Sequence, residues 1–370
     1  MMPFEAQGSA SFQPYFYGDP SFRPAAFGDL RFGDVANHVL SFLRLKDTLA
    51  LRQVCRGWRL CALTAVHYGD TTSAVTHDKV TGMWQVALRP PKHVSPFPLG
   101  LWPRRILELT LVDNDHTAAW MKAIQHCTPA GSERLEPDLL RLQVRTTAIT
   151  EITAILPHIA KLTQLQHLNL SCNGIGAAGA AQLGAHLEKL TQLQRLSLSG
   201  NNIGAAGAVQ LGPHLANLAY LQRLDRPQLQ HLNLSKNIID AAGAAELGPH
   251  LAKLTHLQHL NLSENFIGAD GAVQLGPHLA KLAHLQHLDL SHNVIRTDGA
   301  VQIGPHLAIL TQLQHLDLSH NRICDAGALR LGPQLEKLTQ LQHLDLSSSG
   351  YAECVFTLLL RRNSARTSRI

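Results

Sequence analysis

A short leucine-rich phrase recurs along this chain at a fixed interval, and no other feature constrains the fold as strongly. Copies of the phrase begin at Leu165, Leu193, Leu229, Leu257, Leu285, Leu313 and Leu341. The interval is 28 residues throughout, except that eight more residues are inserted between Leu193 and Leu229. A fixed period of this length predicts a solenoid, in which each unit packs only against its neighbours.

Each copy combines a strand pattern with a helix pattern. Leu260 and Leu262 are two residues apart, so in a strand they share one face, and His259 and Asn261 share the other. The next apolar residues follow at 3-4-3 spacing on one face of a helix, and they are Ala272, Leu275, Leu279 and Leu282. The repeat therefore predicts an α/β fold with parallel strands about 4.8 Å apart, joined by right-handed crossovers.

The pattern L-x-x-L-x-L-x-x-N-x-I resembles the leucine-rich repeat family. The resemblance implies a right-handed β/α solenoid with a concave parallel sheet, in which an asparagine at each strand end turns inward and bonds to the backbone of adjacent loops. These residues are Asn173, Asn201, Asn237, Asn265, Asn293 and Asn321. A glycine also recurs before an alanine, which predicts a close approach of helix to sheet: Gly179, Gly207, Gly243, Gly271, Gly299 and Gly327.

The borders of the array are less regular. Residues 137–348 are interpreted as repeats, the first of them decayed, because Leu140 and Leu142 precede Leu168 and Leu170 by 28 residues. Residues 63–136 are interpreted as a connector, proline-rich and irregular up to residue 104, which could contain a further degenerate repeat over 105–136. Residues 349–370 are expected to form an imperfect C-terminal cap and a basic tail.

Two irregularities occur within the array. Leu221 to Gln228 is interpreted as a duplicated strand start that is looped out or bulged. Gly-Pro falls inside the expected helix at Pro213, Pro249, Pro277, Pro305 and Pro333. Since proline removes one helical hydrogen bond and clashes one turn back, each helix should either kink there or end at the glycine and restart.

The N-terminal part has a different composition. Residues 1–28 are rich in Gly, Pro, Ser and Phe and lack any period, which favours a disordered arm over a docking peptide. Residues 29–62 fit two or three short helices whose apolar residues exceed what so small a unit can bury. Such a surface usually meets a partner, although a plain helical cap for the solenoid is the alternative.

The segment from residue 31 to 62 resembles an F-box, most clearly at Asp47 and at Val54-Cys55-Arg56-x-Trp58. The resemblance implies binding to a small Skp-type adaptor, which links to a cullin scaffold. The adaptor-binding residues carried over by position are Phe32, Val35, Val39, Leu40, Leu51, Val54 and Trp58. The start departs from the family, which usually has Leu-Pro where this chain has Arg31-Phe32.

The helical half, with pairs such as Gly271-Ala272, is similar to the GALA type of leucine-rich repeat. That type occurs beside an F-box in effector proteins that plant-pathogenic bacteria inject into host cells. The Gly-Pro-His-Leu segment departs from the GALA pattern, so another F-box or ribonuclease-inhibitor-like lineage stays open.

Composition narrows the function classes. The net charge of +5 comes without a basic stripe, which disfavours nucleic-acid binding, and the six cysteines lack disulfide or zinc spacing, which favours a reducing cytosol. No apolar run reaches the length of a membrane span or forms a secretory signal. We therefore expect a cytoplasmic protein without cofactor or metal, located in the host cytosol if the source is an intracellular or injecting bacterium. Catalytic motifs are missing too, so no enzyme is predicted.

The expected concave face has two columns of recurring polar residues, one mostly histidine and one changing from Asn to Asp. The residues assigned to target binding are His231, His259, Asn261, His287, Asp289, His315, Asp317, His343 and Asp345. Duplication of a tolerated surface residue is the simplest explanation of the histidines. A partner surface that responds to pH between about 5.5 and 7.5 is the alternative, and a metal site is a third.

The functional hypothesis is a substrate-recognition subunit of a cullin-type ubiquitin ligase, monomeric outside the complex. In it the F-box binds the adaptor and the repeats bind an unknown target protein. The competing hypothesis is a non-catalytic scaffold or inhibitor that uses the solenoid alone.

Overall fold

The computed structural model describes the repeat array and parts of the segment before it. The described residues are 75–77, 84–88, 106–112, 116–125, 140–145, 149–221 and 228–347. The predicted disordered arm, the F-box segment with its adaptor-binding residues, and the C-terminal cap and tail lie outside these ranges.

The described residues form one sheet of 11 strands, which lie side by side in chain order. Strand β1 (Val75–His77) is antiparallel to β2 (Trp84–Leu88), and every later pair of neighbours is parallel. The other strands are β3 (Ile106–Val112), β4 (Arg141–Arg145), β5 (His167–Asn169), β6 (Arg195–Ser197), β7 (His231–Asn233), β8 (His259–Asn261), β9 (His287–Asp289), β10 (His315–Asp317) and β11 (His343–Asp345). The predicted α/β solenoid is confirmed.

One helix follows each strand from β3 to β10. The helices are α1 (Thr117–Gln125), α2 (Ile149–Ile159), α3 (Gly176–Leu187), α4 (Gly204–Leu221), α5 (Ala241–Leu251), α6 (Gly268–Leu279), α7 (Arg296–Leu307) and α8 (Cys324–Leu335). Within the part of the chain that the structure describes, none of the helices combines the length and the apolar character needed to cross a membrane.

A single apolar core runs the length of the array between the sheet and the helices. In the repeat that begins at Leu257, the strand residues Leu260 and Leu262 and the helix residues Leu275 and Leu279 are each at most 1% exposed. Burying one such leucine side chain contributes about 1.5–3 kcal/mol. Because the phrase repeats, equivalent leucines stack against each other from one repeat to the next.

Buried asparagines connect successive repeats. The Asn265 amide nitrogen donates to the carbonyl oxygens of Leu234, in the preceding repeat, at 3.1 Å and of Leu262 at 2.9 Å. Its side-chain oxygen accepts from the backbone N–H groups of Asn237 and Ile239, both at 3.0 Å. The predicted inward asparagine is confirmed, and each one satisfies backbone groups that the loops could not otherwise pair.

The recurring glycine before alanine has a different role from the predicted one. A side chain at Gly243 would come within 2.9 Å of the Cα of Ala205, and one at Gly271 within 3.0 Å of the Cα of Ala241. Ala205 and Ala241 belong to the preceding helix. A side chain is therefore excluded by the preceding helix and by the isoleucine four residues earlier, whose Cγ2 would lie 2.8 Å from a side chain at Gly271, and not by the expected contact with the sheet.

The Gly-Pro segment does not end the helix. Helix α5 continues through Gly248 and Pro249 and ends at Leu251, so proline falls in its last turn. The prediction that the helix ends at the glycine and restarts is wrong. Gly248 has a packing role, because a side chain there would come within 2.7 Å of Cδ2 of His278 in the next helix.

Two predictions about the N-terminal border need correction. Residues 63–104 are not irregular throughout, since they contain β1 and β2. Trp84, Val86 and Leu88 alternate with other residues as in a strand, but the many nearby prolines made this short pattern hard to recognise in the sequence. In the first decayed repeat, Leu142 pairs with Leu168, so the interval is 26 residues and Leu140 is not the equivalent of Leu168. This repeat lacks the asparagine turn that keeps the spacing constant elsewhere.

The helix that precedes the eight-residue insertion is longer than its equivalents in other repeats. Helix α4 continues to Leu221, whereas helices α3, α5 and α6 end at the leucine that follows a histidine, namely Leu187, Leu251 and Leu279. Leu221 is thus helical and does not begin a duplicated strand; residues 222–227 lie outside the described ranges. Strands β6 and β7 keep the regular register, with Leu196 opposite Leu232, so the insertion does not shift the pairing of the sheet.

Replacing Asn265 by alanine should remove all five of its side-chain hydrogen bonds, including the one to the Ser263 carbonyl oxygen at 3.2 Å, and leave buried backbone groups unpaired. We expect the free energy of unfolding to fall by about 2–4 kcal/mol. Urea denaturation followed by circular dichroism measures the loss. The control is Asn261→Ala on the half-buried concave face, which should cost less than half as much; equal losses would contradict the assigned role.

Replacing Gly248 by alanine should place a methyl group against the His278 ring and cost about 1–3 kcal/mol. The double variant Gly248→Ala/His278→Ala should recover most of this loss, because the clash disappears. Gly304→Ala serves as the control, since a methyl group there would meet Cδ2 of Leu331 at 3.0 Å and Cγ of Gln334 at 3.5 Å but no histidine ring. Thermal melting of Gly248→Ala, His278→Ala, the double variant and Gly304→Ala gives the coupling energy between Gly248 and His278, and additive losses would refute the assigned contact.

Candidate concave binding face

The sheet brings the sequence-predicted target-binding residues together on one surface. In the pairing register, His231, His259, His287, His315 and His343 lie directly opposite one another on strands β7 to β11. We call this series, extended by His167 and Arg195 on β5 and β6, the histidine column. Leucines at the next position point into the core, so the alternation of the strand holds the imidazoles on the open face.

The imidazole rings of this column stack on one another. Ring centroids of His231 and His259 are 3.9 Å apart, and those of His259 and His287 are 4.1 Å apart. The next distances are 5.5 Å from His287 to His315 and 4.3 Å from His315 to His343. Parallel strands impose this arrangement, because their spacing of about 4.8 Å is close to the thickness of stacked rings.

A second column lies beside the first, two residues further along each strand. We call it the amide-carboxylate column: it consists of Asn169, Ser197, Asn233, Asn261, Asp289, Asp317 and Asp345. The side-chain oxygen of Asn261 accepts from the backbone N–H of Ser263 at 2.8 Å, and that of Asp289 accepts from Ser291 at 3.0 Å. Asn261 also donates to Asp289 across the strands at 3.0 Å.

Packing in the column suppresses protonation of its central imidazoles. Burial, together with the nearby His259 ring and the Arg195 guanidinium, lowers the pKa of His231 to about 4. Burial, His287 and Arg195 lower the pKa of His259 to about 4 as well. Both imidazoles therefore stay neutral between pH 5.5 and 7.5, and the hypothesis of a pH-responsive surface in that range does not hold for them.

The two ends of the face differ in charge. Arg195 interrupts the histidine column near its N-terminal end. The guanidinium of Arg141 on β4 lies 3.9 Å from the carboxylate of Glu108 on β3. Three aspartates occupy the C-terminal end. The face forms a shallow depression of about 550 Å³ from Glu108 to His315. Among the residues with described positions, no group of three or more His, Cys, Asp or Glu side chains is arranged to hold a metal ion.

Sequence reasoning missed several features beside this face. His292 and His320 stack at 4.0 Å in the loops after β9 and β10, and Lys236 pairs with Glu264 at 2.9 Å in the equivalent position of earlier repeats. Phe266 is 62% exposed at the rim. The constant 28-residue interval could have revealed the histidine pair, but only the structure shows which loop positions face the solvent.

The fold and the face define the class of protein. A parallel sheet with one helix per strand, buried leucines and an inward asparagine at each turn is a leucine-rich repeat solenoid. The family model described as "Leucine Rich repeat" matches residues 161–184, 189–212, 253–276, 281–304 and 310–332.

The segment before the array gives the second half of the assignment. The family model described as "F-box domain" matches residues 34–64, which overlap the segment from residue 31 to 62 that resembled an F-box by sequence. The chain therefore combines an F-box domain with leucine-rich repeats. Both domains are typically interaction modules without catalytic activity, and this combination suggests a protein-interaction role or a role as a substrate adaptor of a ubiquitin ligase.

Comparison with solved structures gives matches at low identity. One is an internalin (inlF) from Listeria monocytogenes, with 23% identity and a TM-score of 0.39, covering 65% of this chain and 67% of the internalin chain. Another is TLR13 in complex with ssRNA13, with 18% identity and a TM-score of 0.39, covering 71% of this chain and 38% of the TLR13 chain. Neither likeness bears on function. A search of curated proteins found no match.

The lowered pKa values of His231 and His259 predict a pH-dependent stability. The unfolded chain has the ordinary value of 6.5, so between about pH 6.5 and 4 it binds protons that the folded chain excludes. The free energy of unfolding should therefore decrease as the pH falls through that window. Below about pH 4 these two groups should add no further decrease.

Urea denaturation at several pH values tests this expectation. The double variant His231→Asn/His259→Asn should show a shallower decrease between pH 6.5 and 4 than the parent chain. Asn233→Ser, in the neighbouring column, removes no titrating group and should leave the slope unchanged. An unchanged slope in the double variant would show that these imidazoles titrate alike in the folded and unfolded chains.

Proposed function

We propose that this protein is the substrate-recognition subunit of a Skp-cullin-F-box ubiquitin ligase. The observation that supports this best is the presence, in one chain, of an F-box domain at residues 34–64 and an open concave sheet on the repeats. The F-box binds a Skp-type adaptor and through it the cullin complex. The repeats bind a target protein and hold its lysines near the conjugating enzyme.

The solenoid is suited to the second task. Seven strands from β5 to β11 span about 29 Å at a spacing of about 4.8 Å, which matches the width of a small domain or an extended segment. The outward side chains of the central strands are polar and half-buried, while the leucines between them are fully buried. The concave face therefore keeps its shape without a partner and presents polar groups that a partner can bind.

The adaptor contact rests on sequence resemblance. Val35, Val39, Leu40, Leu51, Val54, Trp58 and Phe32 remain its predicted residues. A Skp-type adaptor covers apolar side chains of this kind, which explains why so short a segment can bear them. Cytosolic location, in the host if the source is an injecting bacterium, and a monomeric state outside the complex belong to the same proposal.

One observation favours a second candidate function. The F-box segment begins with Arg31-Phe32 in place of the usual Leu-Pro. If that change prevents adaptor binding, the chain acts as a non-catalytic scaffold or inhibitor through the solenoid alone.

Co-purification distinguishes the two candidates. The intact protein should capture a Skp-type adaptor and a cullin from cell extract, and capture should fall at least about tenfold in Val54→Asp and Trp58→Ala, as expected for buried interface anchors. The control His259→Ala, on the concave face, should keep adaptor capture. Circular dichroism checks that the repeats remain folded in each variant. If the intact protein captures no adaptor, the scaffold function replaces the ligase function.

A further inference from the structure

The aspartates at the C-terminal end of the concave face are not required by the fold. Asn261 and Asp289 occupy equivalent positions and accept the same bonds, from the backbone N–H and the hydroxyl of the serine two residues later. Asn233 likewise accepts from the backbone N–H of Ser235 at 2.9 Å, and Asp317 from that of Ser319 at 2.9 Å. An uncharged amide serves this structural role equally well, so the fold does not require the negative charges of the later repeats.

This added charge carries an energetic disadvantage in the isolated protein. Asp289, Asp317 and Asp345 lie directly opposite one another on neighbouring strands, and like charges in that position repel. Among residues that the structure describes, no lysine or arginine forms an ion pair with them. The titratable groups that face them are imidazoles, His315 beside Asp289 and Asp317, and His343 and His320 beside Asp345.

The opposite end of the face has excess positive charge. Arg141 and Arg145 project from β4 and are exposed, and Arg195 projects from β6 and is also exposed. Of these three, only Arg141 is near a described carboxylate, that of Glu108 at 3.9 Å. The guanidinium of Arg195 is close enough to His167, His231 and His259 to act on all three imidazoles.

Between the two ends lies a neutral zone. Strands β7 and β8 contribute His231 and His259, stacked at 3.9 Å, and the amides Asn233 and Asn261. In the loops after these two strands, Lys236 and Glu264 are paired with each other at 2.9 Å. Along the array the face thus passes from positive through neutral to negative.

We propose that the concave face binds an extended segment of the target protein that has a separated charge pattern. Its acidic part lies over Arg145 and Arg195, its uncharged part crosses the stacked histidines, and its basic part lies over Asp289, Asp317 and Asp345. Charge complementarity identifies this partner, because a segment of one sign would be repelled at one end. The inference rests on the proposed function, in that the target is the partner of the repeats.

The dimensions fit such a segment. Arg195 and Asp345 are five strand spacings apart, or about 24 Å, which an extended chain covers with about eight residues. Lysine and arginine side chains add reach at the basic end, so a segment of about ten residues can contact both charged ends at once.

A pair of synthetic peptides tests the proposal with the full-length protein. The block peptide contains three glutamates, a Gly-Ser spacer of four residues and three lysines, about ten residues in all, which matches the span. The alternating peptide has the same composition with the charges interleaved. Isothermal titration calorimetry at pH 7.4 and low salt should show the block peptide binding at least about fivefold more tightly, since only it matches both ends.

Substitutions on the protein locate the binding. Asp317→Asn/Asp345→Asn and Arg195→Gln should each weaken the block peptide at least about threefold. The double aspartate variant should not lower the melting temperature, because the amides keep the serine bonds and the repulsion is removed. Glu246→Gln, an exposed acidic residue on the helical side, should leave both affinity and stability unchanged.

Several results would overturn the proposal. These are equal affinity for the two peptides, no binding of the block peptide at millimolar concentration, or unchanged affinity in the charge variants. The basic tail is the competing occupant of the acidic end: if replacing Arg361, Arg362, Arg366 and Arg369 by glutamine tightened binding tenfold or more, the tail would be the resident ligand. Adaptor capture is measured separately, so failure of the ligase proposal and failure of this one are distinguishable.

Discussion

The asparagine bonds between neighbouring repeats are the interaction on which the rest of the structure depends. A solenoid turn every 28 residues forces the backbone through a tight bend next to an apolar core, where unpaired N–H and C=O groups are costly. Asn265 satisfies groups of its own turn and of the preceding repeat at once. The side-chain oxygens of the five asparagines from Asn201 to Asn321 also accept from backbone N–H groups of the preceding repeat. The repeats are therefore fixed in one register, and the stacking of leucines, helices and surface columns follows.

Packing of the helices completes this registration on the other side of the sheet. Glycines such as Gly243 bring a helix close to the backbone of the preceding one, and glycines such as Gly248 receive a histidine ring from the following one. His278 keeps a buried Nδ1 atom without a hydrogen-bond partner, whereas His214 meets Glu188 at 2.6 Å. Shape therefore takes precedence over polar pairing in this layer, and the glycine and histidine of the recurring Gly-Pro-His segment have a direct steric explanation.

The outward side chains of the concave face contribute little to holding the fold together. Leucines and asparagines hold the array together from within, so the outward residues of the strands can vary as long as an acceptor for the following serine remains. Asn261 and Asp289 satisfy that requirement alike, and Arg195 stands in the histidine column without disturbing the register. Differences along this face can therefore serve recognition of a partner. A chain that combines an F-box with repeats needs its specificity on this face.

The sequence by itself determined the repeat, the strand and helix of each copy, the inward asparagines and the columns of the concave face, because all of these follow from a period of 28 and from local spacing. Tertiary structure decided what depends on neighbours. The closeness of adjacent helices explains Gly271 and Gly276. The pairing of β4 with β5 places Leu142 opposite Leu168, and helix α4 continues to Leu221, where the sequence suggested the start of a strand. It also decided the protonation of His231 and His259, since burial and stacked rings act only once distant strands lie side by side.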